Sequence, residues 1–402
     1  MMSDATQVVV VGGGYAGVLA ANRMTKRDDV AVTLVNPRPV FVERIRLHQR
    51  VAGTHDAVVD LRGLLADRVR LVVDAVERID AAGRTLALAS GGTLGYDHLV
   101  YAVGSGSADP SVPGAAEHAF PLASLEEAER LAPVLDGAGR AAVVTVVGAG
   151  PTGIETAAEL AERGRSVRLV CGGDLGPYLH PKGRRIVAEQ LARLGVDVVA
   201  GPGSLVTEVT ADAVVLADGR DLPSGVTVWT AGFGVPDLAR RSGLTTDAVG
   251  RLLTDETLTS VDDDRIVAAG DSAAPSDLPF RMSCQAAGQL GGFAADTVLS
   301  RLAGTAPAPV AVGFLGQCLS LGRRVGVFQF SHRDDVAKGS VLRGRAGGRL
   351  KELVCWSTVQ QMVWEARRPG LVTYPRAMGD PTRARRIADR SAPEAAGATQ
   401  PA

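Results

Sequence analysis

The sequence has almost no lysine. Lys26, Lys182, Lys338 and Lys351 are the only four, among 43 basic residues that balance 44 acidic ones to a net charge of −1. So neutral a chain has no electrostatic footprint for nucleic acid. Cysteine is scarce too: Cys171, Cys284, Cys318 and Cys355 stand far apart, with no C-x-x-C or C-x-x-x-x-C pair. That spacing excludes a zinc site built from paired ligands, and each thiol reads as a small buried side chain. No metal is expected. No run of 18 apolar residues occurs, so no segment reads as a membrane-spanning helix. The N-terminus enters an apolar strand with no basic-then-apolar leader, which gives the cytoplasm as the expected location. At 46% hydrophobic and 22% charged, the chain excludes global disorder, and 402 residues suggest two or three domains.

What is present is a glycine turn made twice. Val8 to Gly17 reads VVVVGGGYAG, and Val143 to Gly153 reads VVTVVGAGPTG. Each runs an apolar strand of the kind buried in a parallel sheet into G-x-G-x-x-G. In the first, Gly12 permits the tight turn, Gly14 lets backbone approach a pyrophosphate, and Gly17 lets helix pack on strand. Gly148, Gly150 and Gly153 repeat this in the second. Helices over 14–26 and 154–163 point their amides at phosphates, and strands over 30–35 and 167–170 follow. Two fingerprints imply two dinucleotides, most economically a flavin and a nicotinamide. The fold class expected is α/β, with two Rossmann-like dinucleotide-binding domains and a small C-terminal domain.

Two further segments carry a resemblance. Arg265 to Asp271 reads RIVAAGD, a strand ending in Gly-Asp ahead of a helix near Cys284, and Tyr96 to Gly104 reads YDHLVYAVG. With the two fingerprints, in this order over about residues 7 to 330, they resemble the two-dinucleotide-binding-domain flavoproteins. Within that group the chain looks like type II NADH dehydrogenases and apoptosis-inducing-factor-like oxidoreductases. The resemblance assigns FAD to Gly12, Gly14, Tyr15, Ala16, Gly17, Asn36, Pro37, Arg44, Val76, Ala102, Gly104, Gly270 and Asp271. It assigns NAD(P)H to Gly148, Gly150, Pro151, Thr152, Gly153, Glu155, Cys171 and Gly232, with Glu155 near the nicotinamide. Asn36 and Cys171 occupy the strand ends where an acid normally meets a ribose hydroxyl, so NADH and NADPH both stay open.

The expected domains are 1–110 with 240–311 for FAD, 111–239 for NAD(P)H, 312–390 as a C-terminal domain and 391–402 as a disordered tail. Strands over 70–79 and 85–89, and over 205–210 and 213–216, read as hairpins. Disulfide reductases of the family carry a C-x-x-x-x-C pair where Phe41 to Val51 reads FVERIRLHQRV, so electrons are expected to leave without a dithiol. That stretch reads either as part of the active site, through Arg44, Arg46, His48 or Gln49, or as a solvated helix face. Met282 to Leu290, MSCQAAGQL, resembles the quinone-lining helix start of type II NADH dehydrogenases. Gln285 and Gln289 lie one helical turn apart, with amides able to hold an acceptor carbonyl or flavin ring atoms, or merely to cap the helix. Leu350 to Trp364 forms an apolar stripe with Trp356 and Trp364 and arginine flanks, open to packing on its own domain, a homodimer or peripheral contact with the inner face of a membrane. RARRIADR reads as a solvated tail.

The reaction expected passes hydride from NAD(P)H to flavin N5 and then to a quinone or quinone-like acceptor, with Gln285, Gln289 and Glu155 as catalytic candidates. The alternatives are a secondary-metabolism flavoenzyme acting on a soluble small molecule, or a slow redox-sensing NAD(H)-binding flavoprotein.

Overall fold

A computed structural model describes residues 5–391. Along the chain come strand β1 (Thr6–Val11), helix α1 (Tyr15–Met24), β2 (Val30–Asn36), α2 (Leu47–Val51), β3 (Val69–Val73) and β4 (His98–Tyr101). Then follow β5 (Ala119–Pro121), β6 (Val143–Val147), α3 (Pro151–Glu162), β7 (Ser166–Val170), β8 (Asp197–Val199) and β9 (Val226–Trp229). The last stretch holds β10 (Ile266–Ala268), α4 (Cys284–Leu302), β11 (Gly316–Ser320), β12 (Gly326–Ser331), β13 (Ala337–Arg343) and α5 (Gly344–Arg367).

The first sheet runs β10-β4-β1-β2-β3 and the second β5-β9-β6-β7-β8, both wholly parallel. In each, the strand before the glycine turn is central, where apolar residues are buried on both faces. Val8 and Val10, and Val144 and Val146, are completely buried. The two folds differ in where the edge strand comes from. β10 reaches the first sheet from late in the chain, whereas β5 reaches the second from just upstream. A third, antiparallel sheet, β11-β12-β13, leads into α5. It packs Leu319, Leu321 and Val327 into the core that Ile154, Ala157 and Ala158 of α3 share. Met362 of α5 joins the other core, with α1 and α4.

Two expectations change. The strand read over 70–79 is two: β3 lies beside β2 in the parallel sheet, and Val76–Asp80 pairs antiparallel with Thr85–Leu88. Asp74 makes the break, its N–H donating to Asn36 O and its carboxylate accepting from Ala75 N–H. The second hairpin stands, as Val206–Val209 against Ala213–Leu216. RARRIADR, read as a tail, is a helix, Arg383–Ser391, exposed along most of its length. Its Arg383 is buried against Glu256, two nitrogens to two carboxylate oxygens at 2.7 and 2.8 Å. The expected disordered tail lies, beyond Ser391, outside the described residues. Among the described residues no helix is long and apolar enough to cross a membrane.

Candidate functional site

The two cradles are built alike. Gly12 N–H donates to Val35 O and Gly148 N–H to Val170 O, both at 2.8 Å. Gly12 and Gly148 hold φ of +106° and +114°, in the region that favours glycine. A Cβ on Gly17 would lie 1.8 Å from Gly12 O, and one on Gly153 would lie 1.8 Å from Gly148 O, so helix and strand touch through backbone. A Cβ on Gly14 or Gly150 would meet nothing within 4 Å. These are the open faces at which a pyrophosphate would lie against the helix amides. The residues present therefore fit a dinucleotide at each turn.

Around the first cradle, Asn36 spends its amide locally, Oδ1 accepting from Gly13 N–H and Nδ2 donating to Arg38 O. Pro37 is exposed beside it, and Val76 opens the accessory hairpin, partly buried against its core. Ala102 is buried where β4 ends, its N–H on Val11 O, and Gly104 turns the chain with φ +72°. Asp271, after Gly270 at the end of β10, is brought together with Arg44. Ser105 Oγ donates to its Oδ2 at 2.6 Å, Arg44 Nη1 stands 3.5 Å away, and Ser283 N–H donates to its Oδ1. Ser105 was not legible in the sequence. Around the second cradle, Pro151 and Thr152 open α3, and Gly232 lies exposed on the return segment. Cys171 closes β7, its thiol pushed up to about 11 by burial and the nearby Asp174 carboxylate.

Arg46, His48 and Gln49 are 5%, 2% and 0% exposed, so the solvated-face reading of FVERIRLHQ does not hold. They face a buried ionic cluster whose other half comes from the C-terminal helix. Lys351 Nζ lies 2.8 Å from Glu155 Oε1. That carboxylate also accepts from Ser320 N–H at 2.8 Å and Ser320 Oγ at 3.1 Å, and His48 Nε2 stands 3.0 Å from Ser320 Oγ. Burial alone would raise the Glu155 pKa; the Lys351 ammonium and the Ser320 donors outweigh it, leaving the carboxyl below its usual range. Burial likewise opposes the charge on Lys351, and the Glu155 carboxylate outweighs that, raising Lys351 well above an ordinary lysine. Burial pulls His48 down to about 4, so it is neutral, and its 3.9 Å approach to Glu155 is no ion pair. Arg46 holds Glu43 and Glu352 at 3.1 and 2.9 Å, tying α5 to the segment before α2.

Lys351 also acts on the first cradle. The hydroxyl of Tyr15, the first residue of α1, is buried without a hydrogen-bond partner. Burial and the neighbouring Cys284 raise its pKa well above an ordinary tyrosine, and Lys351 pulls against them. The Lys351 charge thus bears on Tyr15 at the start of α1 as well as on Glu155 in α3. Of the four cysteines, all unbridged, three remain: Cys284, Cys318 and Cys355. Burial raises all three, Cys284 to about 12 and Cys355 to about 11, so they are protonated thiols.

The two glutamines part company. Gln289 clasps Gly313, Nε2 donating to Gly313 O at 2.9 Å and Oε1 accepting from Gly313 N–H at 3.1 Å. Gln285 makes only a long contact, its Oε1 accepting from Leu315 N–H at 3.4 Å. Sequence reasoning missed Ser320, Glu159, Thr54 and Arg323. For Lys351 one signal existed: a lone lysine within an apolar helical stripe.

The family model described as pyridine nucleotide-disulphide oxidoreductase matches residues 6–291. An NADH dehydrogenase-like protein of Mycobacterium tuberculosis is 32% identical over 331 residues, covering 74% of this chain and 81% of that one. The type II NADH:quinone oxidoreductase of Staphylococcus haemolyticus is 27% identical, over 84% of this chain and 93% of its own. In fold, the chain is similar to the NDH2 of Plasmodium falciparum solved with NADH, at a TM-score of 0.74 and 15% identity, covering 92% and 99%. With its model spanning both cradles and both parallel sheets, this chain belongs to the pyridine nucleotide-disulphide oxidoreductase family.

Proposed function

We propose that this protein is an FAD-dependent NADH oxidoreductase that delivers electrons to a quinone or quinone-like acceptor without a redox-active disulfide. The observation that carries the reading is the buried Lys351–Glu155 pair on the helix of the second cradle, in a chain with no dithiol where disulfide reductases carry one. FAD, held by the first cradle with Asp271 on its polyol, supplies the two-electron relay between nucleotide and acceptor. The second cradle would hold NADH at the N-terminus of α3, the helix that carries Glu155 with Ser320 bonded to it. Lys351 offers a fixed positive charge to whatever negative charge develops beside it. Glu155 and Lys351 hold and exchange a proton there, the acceptor taking it as it is reduced. Gln285, with its Nε2 uncommitted, donates to an acceptor carbonyl, while Gln289 fixes the wall at Gly313.

The same reading places α5 on a membrane surface. Its inner face is committed through Lys351, Cys355, Met362 and Glu365. Outward it exposes Leu353, Trp356 and Trp364, the two indoles 6.2 Å apart, beside the exposed Arg345, Arg349, Arg367 and Arg368. Apolar aromatics flanked by arginine suit an anionic lipid interface.

Anaerobic addition of NADH to FAD-loaded protein, followed by a panel of acceptors, tests the activity. Rapid bleaching followed by reoxidation with short-chain quinones is expected. Bleaching that only soluble non-quinone acceptors reverse, or that fails to occur, overturns the assignment.

A further inference from the structure

The sealed state of the Lys351–Glu155 pair creates a demand that nothing above meets. Reduction of a quinone follows NADH + H⁺ + Q → NAD⁺ + QH₂, so each turnover draws one proton from water. Glu155, Lys351 and His48 are 5%, 3% and 2% exposed, so none of them meets solvent directly.

One helical turn beyond Glu155 on the same face of α3 stands Glu159, itself only 1% exposed. Its Oε1 accepts a 2.6 Å hydrogen bond from Thr54 Oγ1, and its Oε2 has no partner. Gln49 Nε2, on the same stretch as Thr54, is also buried and unpartnered. On the far side Arg323 Nε lies 4.0 Å from Glu159 Oε1, and the Arg323 side chain is one-third exposed. Its backbone N–H donates to Glu162 Oε2 at 2.7 Å. Glu159 thus lies one helical turn from the sealed pair and 4.0 Å from a side chain that touches solvent.

We propose that Glu159 is the point at which this proton enters, handing it to the Glu155–Lys351 pair. The inference rests on the function proposed above. Burial raises the Glu159 pKa, and the Glu155 and Glu162 carboxylates add to the rise, while Thr54 and Arg323 oppose it. Glu155 is displaced the other way. Glu159 therefore holds the proton at rest, and passes it toward Glu155 only when negative charge developing on the reduced acceptor raises the affinity of the inner pair. The charged groups around Glu159 are Glu155 and Glu162 on its own helix and Arg323 on the β11–β12 turn. Arg46 and His48 lie on the α2 side, with Lys351 and Glu352 across from α5. Glu159 acts through Glu155 and touches no substrate.

The test compares wild type, Glu159→Gln, Glu155→Gln and Thr54→Val as FAD-loaded proteins. The infrared band of a protonated carboxyl, followed against pH in the resting protein, should vanish in Glu159→Gln and persist in Glu155→Gln. Rapid mixing of the NADH-reduced protein with a short-chain quinone should be slowed about 10–100-fold in Glu159→Gln, with its pH dependence flattened. Thr54→Val keeps the carboxyl but removes a donor that lowers its pKa, so the pH limb should move upward. A Glu159→Gln protein with the wild-type band or pH profile overturns the proposal. So does an unmoved limb in Thr54→Val, which also answers should Glu159→Gln fail to fold. If wild type ignores quinones, the acceptor assignment fails while the infrared titration still decides on Glu159.

Discussion

Replacing Lys351 by Met should show how much of the C-terminal helix's attachment depends on one ion pair. The side chains are similar in length, so packing changes little and the charge is what is lost. At 2.8 Å and an effective dielectric of about 20, the pair attracts by about 6 kcal/mol. Part of that only offsets the cost of taking both charges out of water, but the variant leaves Glu155 buried with no cation bound to it. Breaking a buried pair from one side costs about 3–5 kcal/mol. Glu155 keeps its Ser320 donors, at 2.8 and 3.1 Å, which places the expected loss toward the lower end, about 3 kcal/mol.

The pH dependence makes the test specific. Glu155 is lowered from an ordinary 4.5, so its contribution is present above that value and is lost as pH falls through the folded one. Lys351 is raised above 10.5, so its contribution is present below that value and is lost only as pH rises through the folded one. Denaturant unfolding should therefore show a gap between wild type and variant that is widest near neutrality and closes toward acid pH. In the variant, Glu155 should bind a proton at higher pH than in wild type. A gap below about 1 kcal/mol, the range of exposed pairs, or one of equal size in acid and at neutrality, would refute the argument.

His48 adds to the loss of stability toward acid pH. Its folded pKa, about 4, lies below the ordinary 6.5. The stability of its neutral form is thus complete above 6.5 and is lost as pH falls toward 4, by about 3 kcal/mol. His48→Gln should lose that part of the acid destabilisation, and an unchanged acid limb in denaturant titrations would contradict it. Gly14→Ala should fold with a Tm near wild type yet release FAD, because its Cβ enters only open space. Gly12→Ala should fall in Tm, since its Cβ would lie 2.3 Å from Ala102 O at φ +106°; equal behaviour of the two by calorimetry and flavin absorbance would count against the cradle geometry. Gln285→Ala should raise the acceptor KM with NADH-driven bleaching unchanged. Gln289→Ala should instead lower the Tm through loss of the Gly313 clasp, and a reversed pattern would exchange their roles.

The cradles were legible because everything that makes them is local. An apolar run, a glycine at positive φ and a helix start lie within ten residues, and each leaves its mark on the sequence. The break at Asp74 was not legible. Residues 70–79 carry no glycine or proline, and what turns the chain there is an N–H bonded to Asn36, a residue of the neighbouring strand. The C-terminal helix starts at Gly344 rather than Leu350 for a related reason. Gly347 reads as a helix breaker, but its missing side chain admits Gly326 of β12, whose carbonyl oxygen a Cβ would approach to 2.2 Å.

The ionic centre escaped for a deeper reason than distance along the chain. An isolated buried charge is too costly to keep, so a charged residue can be assigned to the interior only if its partner is known. The partner of Glu155 arrives from α5, that of Arg46 from Glu352, and that of His48 from Ser320. Each reads as a surface residue until the third sheet folds back onto α3. That dependence also constrains assembly. Both cradles can form from local sequence, but these buried charges become tolerable only once α5 has docked. The pair at Lys351 therefore makes the seating of the C-terminal helix and the protonation of Glu155 a single event. A variant that loosens α5, even far from Glu155, should raise the pKa of that carboxyl.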